Sequence, residues 1–355
     1  MPCQPAPSRP SSDAAPSLRS AGARLSTQRP GTRGAHHVSA SNVVGEMASS
    51  LPTAFTELVG CELPLQLAPM TGIVTPALAA AVSNAGGLGM VPAGRRGVEP
   101  MRKQLDGVAA LTSHPFGAGL LAEFLDDGLL ELVAELAPVV ELFWGEPDPA
   151  LVPDGPIVGW QVGSPEHARA AVEAGCAYVV AQGVEAGGHV HGTTPLAELL
   201  PTVRAAVDVP VVAAGGIGSA ETVREAFALG ADAVRIGTRF VAAAESDAHD
   251  RYVELLSQAA DGDTVFTEAF GVGWPDAPHR VLASALAAAE SAPDVVGRSG
   301  EQEIPRFFVS SPTRSVEGNI DAMALYAGEG STAFVQGRQP ASEIVHELLG
   351  LGRGG

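Results

Sequence analysis

The chain has 355 residues, 46% of them apolar, so it can bury the core of one large α/β domain or of two ordinary ones. It carries 21 basic and 40 acidic residues, and the net charge of -19 argues against nucleic acid and anionic membranes as partners. The sequence contains no apolar stretch long enough to span a bilayer, and its three cysteines are too far apart for a disulfide framework or a cysteine metal site. These features predict a cytoplasmic protein that acts on a small molecule.

Residues 1–46 differ in composition from the rest of the chain. They are rich in Ser and Pro and contain five Arg against only Asp13 and Glu46, so this segment carries +3 and the remainder -22. An Arg- and Ser-rich leader with few acidic residues is typical of a transit peptide. Because Pro and Gly would interrupt an amphipathic helix here, we favour a disordered extension, or a true start at Met47.

Eight short apolar runs follow from Leu63 onward. They are LQLAPM (65–70), GLGMVPA (87–93), FGAGLL (116–121), VVELFW (139–144), PIVGWQV (156–162), AYVVAQG (177–183), VPVVAAGG (209–216) and DAVRIGT (232–238). Continuous apolar strands are typical of parallel sheets that are covered on both faces. The runs therefore predict eight buried parallel strands.

Helix signals lie between several of these runs. Thr75-Pro76 leads to Gly86, Ser164-Pro165 leads to Gly175, and Ser219 leads to Gly230. Ser and Thr cap the free N–H groups of a first turn, Pro suits that turn, and Gly adopts the left-handed conformation that ends a helix. The last two units share the pattern Ser-x-Glu-x-x-Arg-x-Ala-x-x-x-Gly, which indicates a repeated βα unit.

This alternation predicts an α/β fold, a (β/α)8 barrel over residues 47–240. The structural alternative is a doubly wound open sheet, which is expected to carry a G-x-G-x-x-G turn after its first strand. The corresponding stretch, APMTGIV, has no such turn. Residues 241–340 are predicted to be mainly helical and either to pack on the barrel or to form a lid, and residues 341–355 are expected to be a C-terminal tail.

Two glycine-bearing loops predict a phosphate site. Active sites of these barrels lie at the carboxyl ends of the strands, and phosphate commonly binds after the seventh and eighth strands. The seventh strand is followed here by Gly215 and Gly216, and the eighth by Gly237 and Thr238. Glycines let backbone N–H groups approach an anion, and the helix after Ser219 adds the positive end of its dipole. The alternative is that these glycines only form tight turns.

The loop after the first strand favours a cofactor phosphate over a substrate phosphate. Ala68, Pro69 and Met70 precede Gly72 and form a rigid, apolar turn against which a flat ring could lie. Met70 alone would be interpreted as a residue that fills a gap in the core.

The stretch AQGVEAGGHVHG (181–192) contains the candidate base. Gln182 can bond a polar ring edge, and Gly187 and Gly188 leave room for a bound group. His189 can accept or donate a proton near neutral pH. A metal site formed by His189, His191 and Glu185 is the alternative, but two histidines at i and i+2 are a weak signal, so we predict no metal.

Seven motifs resemble the nitronate monooxygenases, formerly called 2-nitropropane dioxygenases. They are APMTG (68–72), SNAGGLGMV (83–91), AQGVEAGGH (181–189), VVAAGGIG (211–218), GTRF (237–240), GWPDAPHRVL (273–282) and MALYAGEG (323–330). The resemblance extends from about residue 55 to residue 335 and excludes residues 1–46.

The resemblance implies a barrel that binds FMN non-covalently and oxidises nitronates or nitroalkanes with O2 to a carbonyl compound and nitrite. The family's histidine falls on His189, which would act as a base or position a nitronate. Where many relatives have Asn after the third strand, this chain has Gly119. The family's flavin-binding positions fall on Ala68, Pro69, Met70, Gln182, Gly187, Gly216, Arg235, Ile236, Gly237 and Thr238, to which the loop analysis adds Gly188 and Gly215.

Two other functions remain open at this point. An FMN-dependent enoyl-thioester (enoyl-ACP) reductase belongs to the same superfamily, shares the GGH loop and would consume NAD(P)H. A non-redox lyase or isomerase could hold a phosphorylated substrate in the same two loops. The sequence does not determine the physiological substrate or the oligomeric state, for which a homodimer is one option.

Overall fold

The computed structural model describes residues 52–93, 97–125 and 128–351, and the predicted extension at residues 1–46 lies outside this part of the chain. The strands are β1 (Leu65–Leu67), β2 (Gly89–Pro92), β3 (Phe116–Leu121), β4 (Val139–Phe143), β5 (Ile157–Val162), β6 (Tyr178–Gln182), β7 (Gly188–His189), β8 (Val211–Ala214), β9 (Ala233–Ile236), β10 (Thr264–Thr267), β11 (His279–Leu282), β12 (Val295–Ser299), β13 (Gln302–Pro305) and β14 (Val316–Gly318). The helices are α1 (Ala54–Val59), α2 (Pro76–Asn84), α3 (Val98–Ala109), α4 (Leu129–Leu136), α5 (Pro165–Glu173), α6 (Leu196–Ala206), α7 (Ala220–Ala228), α8 (Thr238–Val241), α9 (Asp250–Gln258), α10 (Ala283–Glu290) and α11 (Ala341–Leu348).

The eight strands that the apolar runs predict form one parallel sheet in the order β1-β9-β8-β6-β5-β4-β3-β2. This sheet closes between β1 and β2. There the Leu88 N–H donates to the Leu65 carbonyl (2.8 Å) and the Leu67 N–H donates to the Leu88 carbonyl (2.9 Å). The predicted (β/α)8 barrel is confirmed, and the open-sheet alternative is wrong.

The three predicted helix starts are also confirmed. The hydroxyls of Thr75, Ser164 and Ser219 each accept a hydrogen bond from a backbone N–H in the first turn of α2, α5 and α7. Each of these helices stops just before its predicted glycine. Local capping therefore fixes where the chain leaves each helix and turns into the next strand.

The segment after the barrel strands differs in part from the expectation of a mainly helical region. It contains helices α9 and α10, but it also contains two small antiparallel sheets. In one of them β11 pairs with β7, with His279 opposite His189 and Arg280 opposite Gly188. This pairing brings the segment over the loop that follows β6.

The range expected to be a C-terminal tail contains helix α11. Its apolar residues Ile344, Val345 and Leu348 belong to the same buried core as the barrel strands. The helix contacts α2 and α7. It therefore occupies the place of the eighth barrel helix, although a long segment separates it from β9 in the sequence.

A second apolar core stabilises the segment between β9 and α11. It includes Tyr252, Leu256, Phe270 and Val281, all of which are buried. None of the described helices has the length and hydropathy needed to cross a membrane.

Candidate active site

Gln182 lies at the carboxyl end of β6 and is buried. Its side-chain Nε2 donates to the backbone carbonyl of His189 (3.1 Å), which holds the loop that follows the strand. Its Oε1 is buried and has no hydrogen-bond partner among the described residues. A buried amide oxygen without a partner is costly, so Gln182 offers an acceptor to a bound molecule.

The two glycines before His189 serve different purposes. A Cβ at Gly187 would lie 2.6 Å from the backbone N of Gly328, so this glycine is required because the protein's own chain passes there. Gly188 has φ +79°, and a Cβ on it would meet nothing within 4 Å. Of the two positions predicted to lie against a cofactor, only Gly188 has open space in the direction that a side chain would take.

Four rings surround the imidazole of His189. Trp274 stacks on it, with a centroid separation of 4.2 Å and an interplanar angle of 26°. The rings of His279, Tyr326 and Trp144 lie at 5.3, 5.4 and 6.1 Å from it. These four residues were not among the predicted site residues. The signal that could have found them is scarcity, because two of only three tryptophans in the chain meet at this loop.

This enclosure keeps His189 uncharged. Burial lowers the pKa of His189 from its ordinary value of 6.5 to about 3, and the His279 ring acts in the same direction. Its Nε2 atom is buried and has no hydrogen-bond partner within the described part of the chain. The site therefore presents a neutral imidazole that can take up a proton or share one.

Arg280 anchors this loop from the opposite strand. Its Nε donates to the Val184 carbonyl (3.0 Å), and its Nη1 pairs with Glu329 at 2.7 Å. The Glu329 N–H in turn donates to the Glu185 carbonyl (2.9 Å). Residues of the C-terminal segment thus fix the β6 loop, a dependence that motif spacing along the chain could not reveal.

The predicted phosphate loops after β8 and β9 border a common segment. The Gly328 N–H donates to the Thr238 hydroxyl (3.0 Å), and a Cβ at Gly216 would lie 3.3 Å from the Glu329 carbonyl oxygen. Arg239, which was not among the predicted site residues, links the loops by donating to the Gly218 carbonyl (2.7 Å). The remaining members, Gly215 and Gly237, occupy the same two turns.

Backbone donors remain available in these loops. The N–H groups of Gly216 and Gly237 make no hydrogen bond to any described residue. The hydroxyl of Ser219 caps α7, so the positive end of that helix faces the β8 loop. This combination can hold a phosphate.

Two residues predicted to bind the cofactor use polar groups in hydrogen bonds within the protein. The guanidinium of Arg235 lies inside the barrel, where it donates to Gln66 (2.9 and 3.0 Å) and Gln161 (2.6 Å) and pairs with Glu141. The Ile236 carbonyl accepts from the Ala68 N–H at 2.9 Å. The charge of Arg235 is therefore neutralised in the core, and the role of this position in binding a cofactor stays a prediction.

The loop after β1 lies beside the loop after β9. A Cβ at Gly237 would meet the Ala68 Cβ at 3.4 Å and the Met70 Sδ at 3.6 Å. The same loop approaches Gly119, because a Cβ there would lie 2.5 Å from the Pro69 Cγ. A larger residue at Gly119 would therefore require Pro69 or the strand to shift in this chain.

The alternative metal site is not assembled. Both carboxylate oxygens of Glu185 accept from the Leu196 N–H, at 3.0 and 3.1 Å, so this residue caps α6. His191 is exposed, and its ring contacts Trp144 at 5.3 Å. Within the described ranges, no group of three His, Cys, Asp or Glu side chains is placed to hold a metal ion.

Comparisons with known proteins agree with the resemblance of the motifs. A family model for nitronate monooxygenase matches residues 52–136 and 150–350. The chain is 32% identical to a nitronate monooxygenase of Pseudomonas aeruginosa, over 83% of this chain and 97% of that protein.

Solved structures show the same relationship. A nitroalkane oxidase from Streptomyces ansochromogenes superposes with a TM-score of 0.68 at 29% identity, covering 84% of this chain and 97% of that one. FabK from Thermotoga maritima gives a TM-score of 0.68 at 30% identity, covering 85% and 96%. The chain therefore belongs to the nitronate monooxygenase family and is an oxidoreductase.

Proposed function

We propose that this protein oxidises nitronates and nitroalkanes with O2 to a carbonyl compound and nitrite, using FMN. One observation carries the proposal: the neutral, half-buried His189 has a buried Nε2 atom without a partner among the described residues, beside the open space at Gly188. The overall reaction balances as two nitronate anions and one O2 giving two carbonyl compounds and two nitrite anions.

The residues present fit FMN. Its phosphate would be held by the free N–H groups of Gly216 and Gly237, with Gly215 and Thr238 in the same turns. Its ring would lie near Gly188 and against the turn formed by Ala68, Pro69 and Met70, and the unpaired Gln182 Oε1 would accept a hydrogen bond from its polar edge. When bound, FMN supplies the electron transfer between substrate and O2.

His189 supplies the proton chemistry in this proposal. As a neutral imidazole it takes the proton from the carbon that bears the nitro group. The resulting imidazolium is stabilised by the nitronate anion beside it, since an adjacent opposite charge favours the protonated form. The same contact would position a nitronate that was formed in solution. The surrounding rings exclude water from this proton transfer.

The pH dependence follows from the lowered pKa. Because His189 loses its proton near pH 3, it is already a free base at pH 5, and kcat/KM for freshly dissolved neutral nitroethane should be level from about pH 5 to about pH 8. Short initial-rate assays across this range test the expectation. An acid limb centred near pH 6.5 that disappears in His189→Asn would contradict it.

The enoyl-thioester reductase remains the second candidate, because FabK is among the similar structures. A panel separates the two: flavin-loaded protein receives a nitronate with O2, and separately NAD(P)H with an enoyl thioester. We expect nitrite only from the nitronate, and little oxidation of NAD(P)H. The non-redox alternative is not carried further, because the family consists of oxidoreductases. A small-molecule substrate, O2 and a cytoplasmic location complete the proposal.

A further inference from the structure

Trp144 has an unusual backbone conformation at the active end of the barrel. It directly follows β4, and its φ of +62° lies in the left-handed region that bulky residues rarely adopt. Gly145 follows with φ +115°, and its carbonyl oxygen lies 3.2 Å from His167 Nε2. Strain of this kind is retained where the surrounding structure requires the side chain, so the position of this indole points to a role.

The indole of Trp144 is placed among the rings of the site. It lies edge-to-face with Trp274 at 5.0 Å and with His191 at 5.3 Å. Trp274 continues the surface, because it stacks on His189 and meets Phe124 at 5.2 Å. Trp144 and Trp274 together are called the aromatic wall below. A substrate carbon within reach of His189 must place its substituent beside this wall.

The rings of the aromatic wall and the buried histidines beside it are uncharged. Burial lowers the pKa values of His189, His279 and His167, so these rings are neutral at pH 7. The nearby Arg280 is neutralised by Glu329 at 2.7 Å. An apolar, aromatic surface interacts best with another flat ring, in the offset or edge-to-face geometries that the wall already shows.

We propose that the aromatic wall selects substrates whose nitro-bearing carbon carries a flat aromatic group rather than a short alkyl chain. This inference rests on the proposed function and deepens it. Trp144 is the specificity-determining residue, because it is half-buried and its ring lines the approach to His189, whereas Trp274 is largely covered.

The test compares phenylnitromethane with nitroethane, both supplied as preformed nitronates to the full chain loaded with FMN. The readout is the ratio of their kcat/KM values. Trp144→Gly, which also relieves the left-handed strain, should lower this aryl-to-alkyl ratio about tenfold, whereas Trp144→Phe should keep it within about threefold. The matched control is Trp160→Phe, a change in a barrel strand outside the aromatic wall, which should leave the ratio unchanged. Equal ratios in the wild type and Trp144→Gly would overturn the proposal.

A binding experiment tests the role of the aromatic wall independently of the proposed function. Nitrobenzene and 2-methyl-2-nitropropane both carry a nitro group, and neither has a proton on the carbon that bears it, so neither is turned over. By calorimetry we expect the wild type to bind nitrobenzene about fivefold more tightly, and Trp144→Gly to lose this difference. If no nitronate is oxidised, the proposed function fails. The binding measurements still test whether the aromatic wall selects aromatic ligands. Equal affinity of the wild type for both probes would overturn the selection itself.

Discussion

Replacing His189 with Asn should lower kcat/KM for neutral nitroethane by about a thousandfold, because the variant lacks a group that can take the proton from carbon. The preformed nitronate should lose about tenfold or less, since the Asn amide still donates a hydrogen bond to it. FMN should stay bound, because the residues proposed to hold it are unchanged. Steady-state rates on both substrate forms, together with the flavin absorption of the purified variant, measure these effects.

The matched control for this experiment is His114→Asn, an identical change at an exposed position outside the site. It should leave both rates unchanged. Equal activity of His189→Asn and the wild type on neutral nitroethane would remove His189 from the mechanism. Loss of both activities together with the flavin would instead give His189 a structural role.

Arg235→Leu should destabilise the fold by about 3–5 kcal/mol, because it leaves the carboxylate of Glu141 buried without its partner. The pair lies inside the barrel, where Tyr178 and Gln66 also donate to Glu141. Adding Glu141→Leu to this variant should recover much of the loss, since no unpaired charge then remains. The free energy of unfolding from urea titrations measures both changes.

The control for the buried pair is the surface pair of Arg169 and Glu166, which lies on one face of α5. Arg169→Leu should produce little measurable change, because exposed ion pairs contribute little to stability. An Arg235→Leu variant that unfolds at the same urea concentration as the wild type would show that this network is not needed for the barrel.

The sequence contains most of the information for the barrel in local patterns. Each strand lies in a largely apolar run, and the starts of α2, α5 and α7 carry their own caps, so both features can be recognised without knowing the fold. The small sheets after β9 could not be predicted this way. Strand β7 has only two residues, and it forms because it pairs with His279 and Arg280, which are distant from it in the sequence.

The part of the candidate site that lies in one continuous stretch of sequence was predictable. His189 and the unpaired Gln182 lie together as their shared loop predicts. The aromatic wall was not predictable, because Trp144 and Trp274 are brought together by tertiary packing. The side-chain contacts of Arg235 were not predictable for a related reason: its neighbours Gly237 and Thr238 lie in the loop, but alternation along β9 directs its own side chain into the barrel.

The oxidation of nitronates by O2 is tested most directly by following nitrite and O2 in one sample of flavin-loaded protein given a preformed nitronate. The expected result is nitrite release and O2 consumption in a ratio of two to one, without any need for NAD(P)H. Rapid oxidation of NAD(P)H with an enoyl thioester, combined with no nitrite from any nitronate, would contradict the proposed function and favour the reductase.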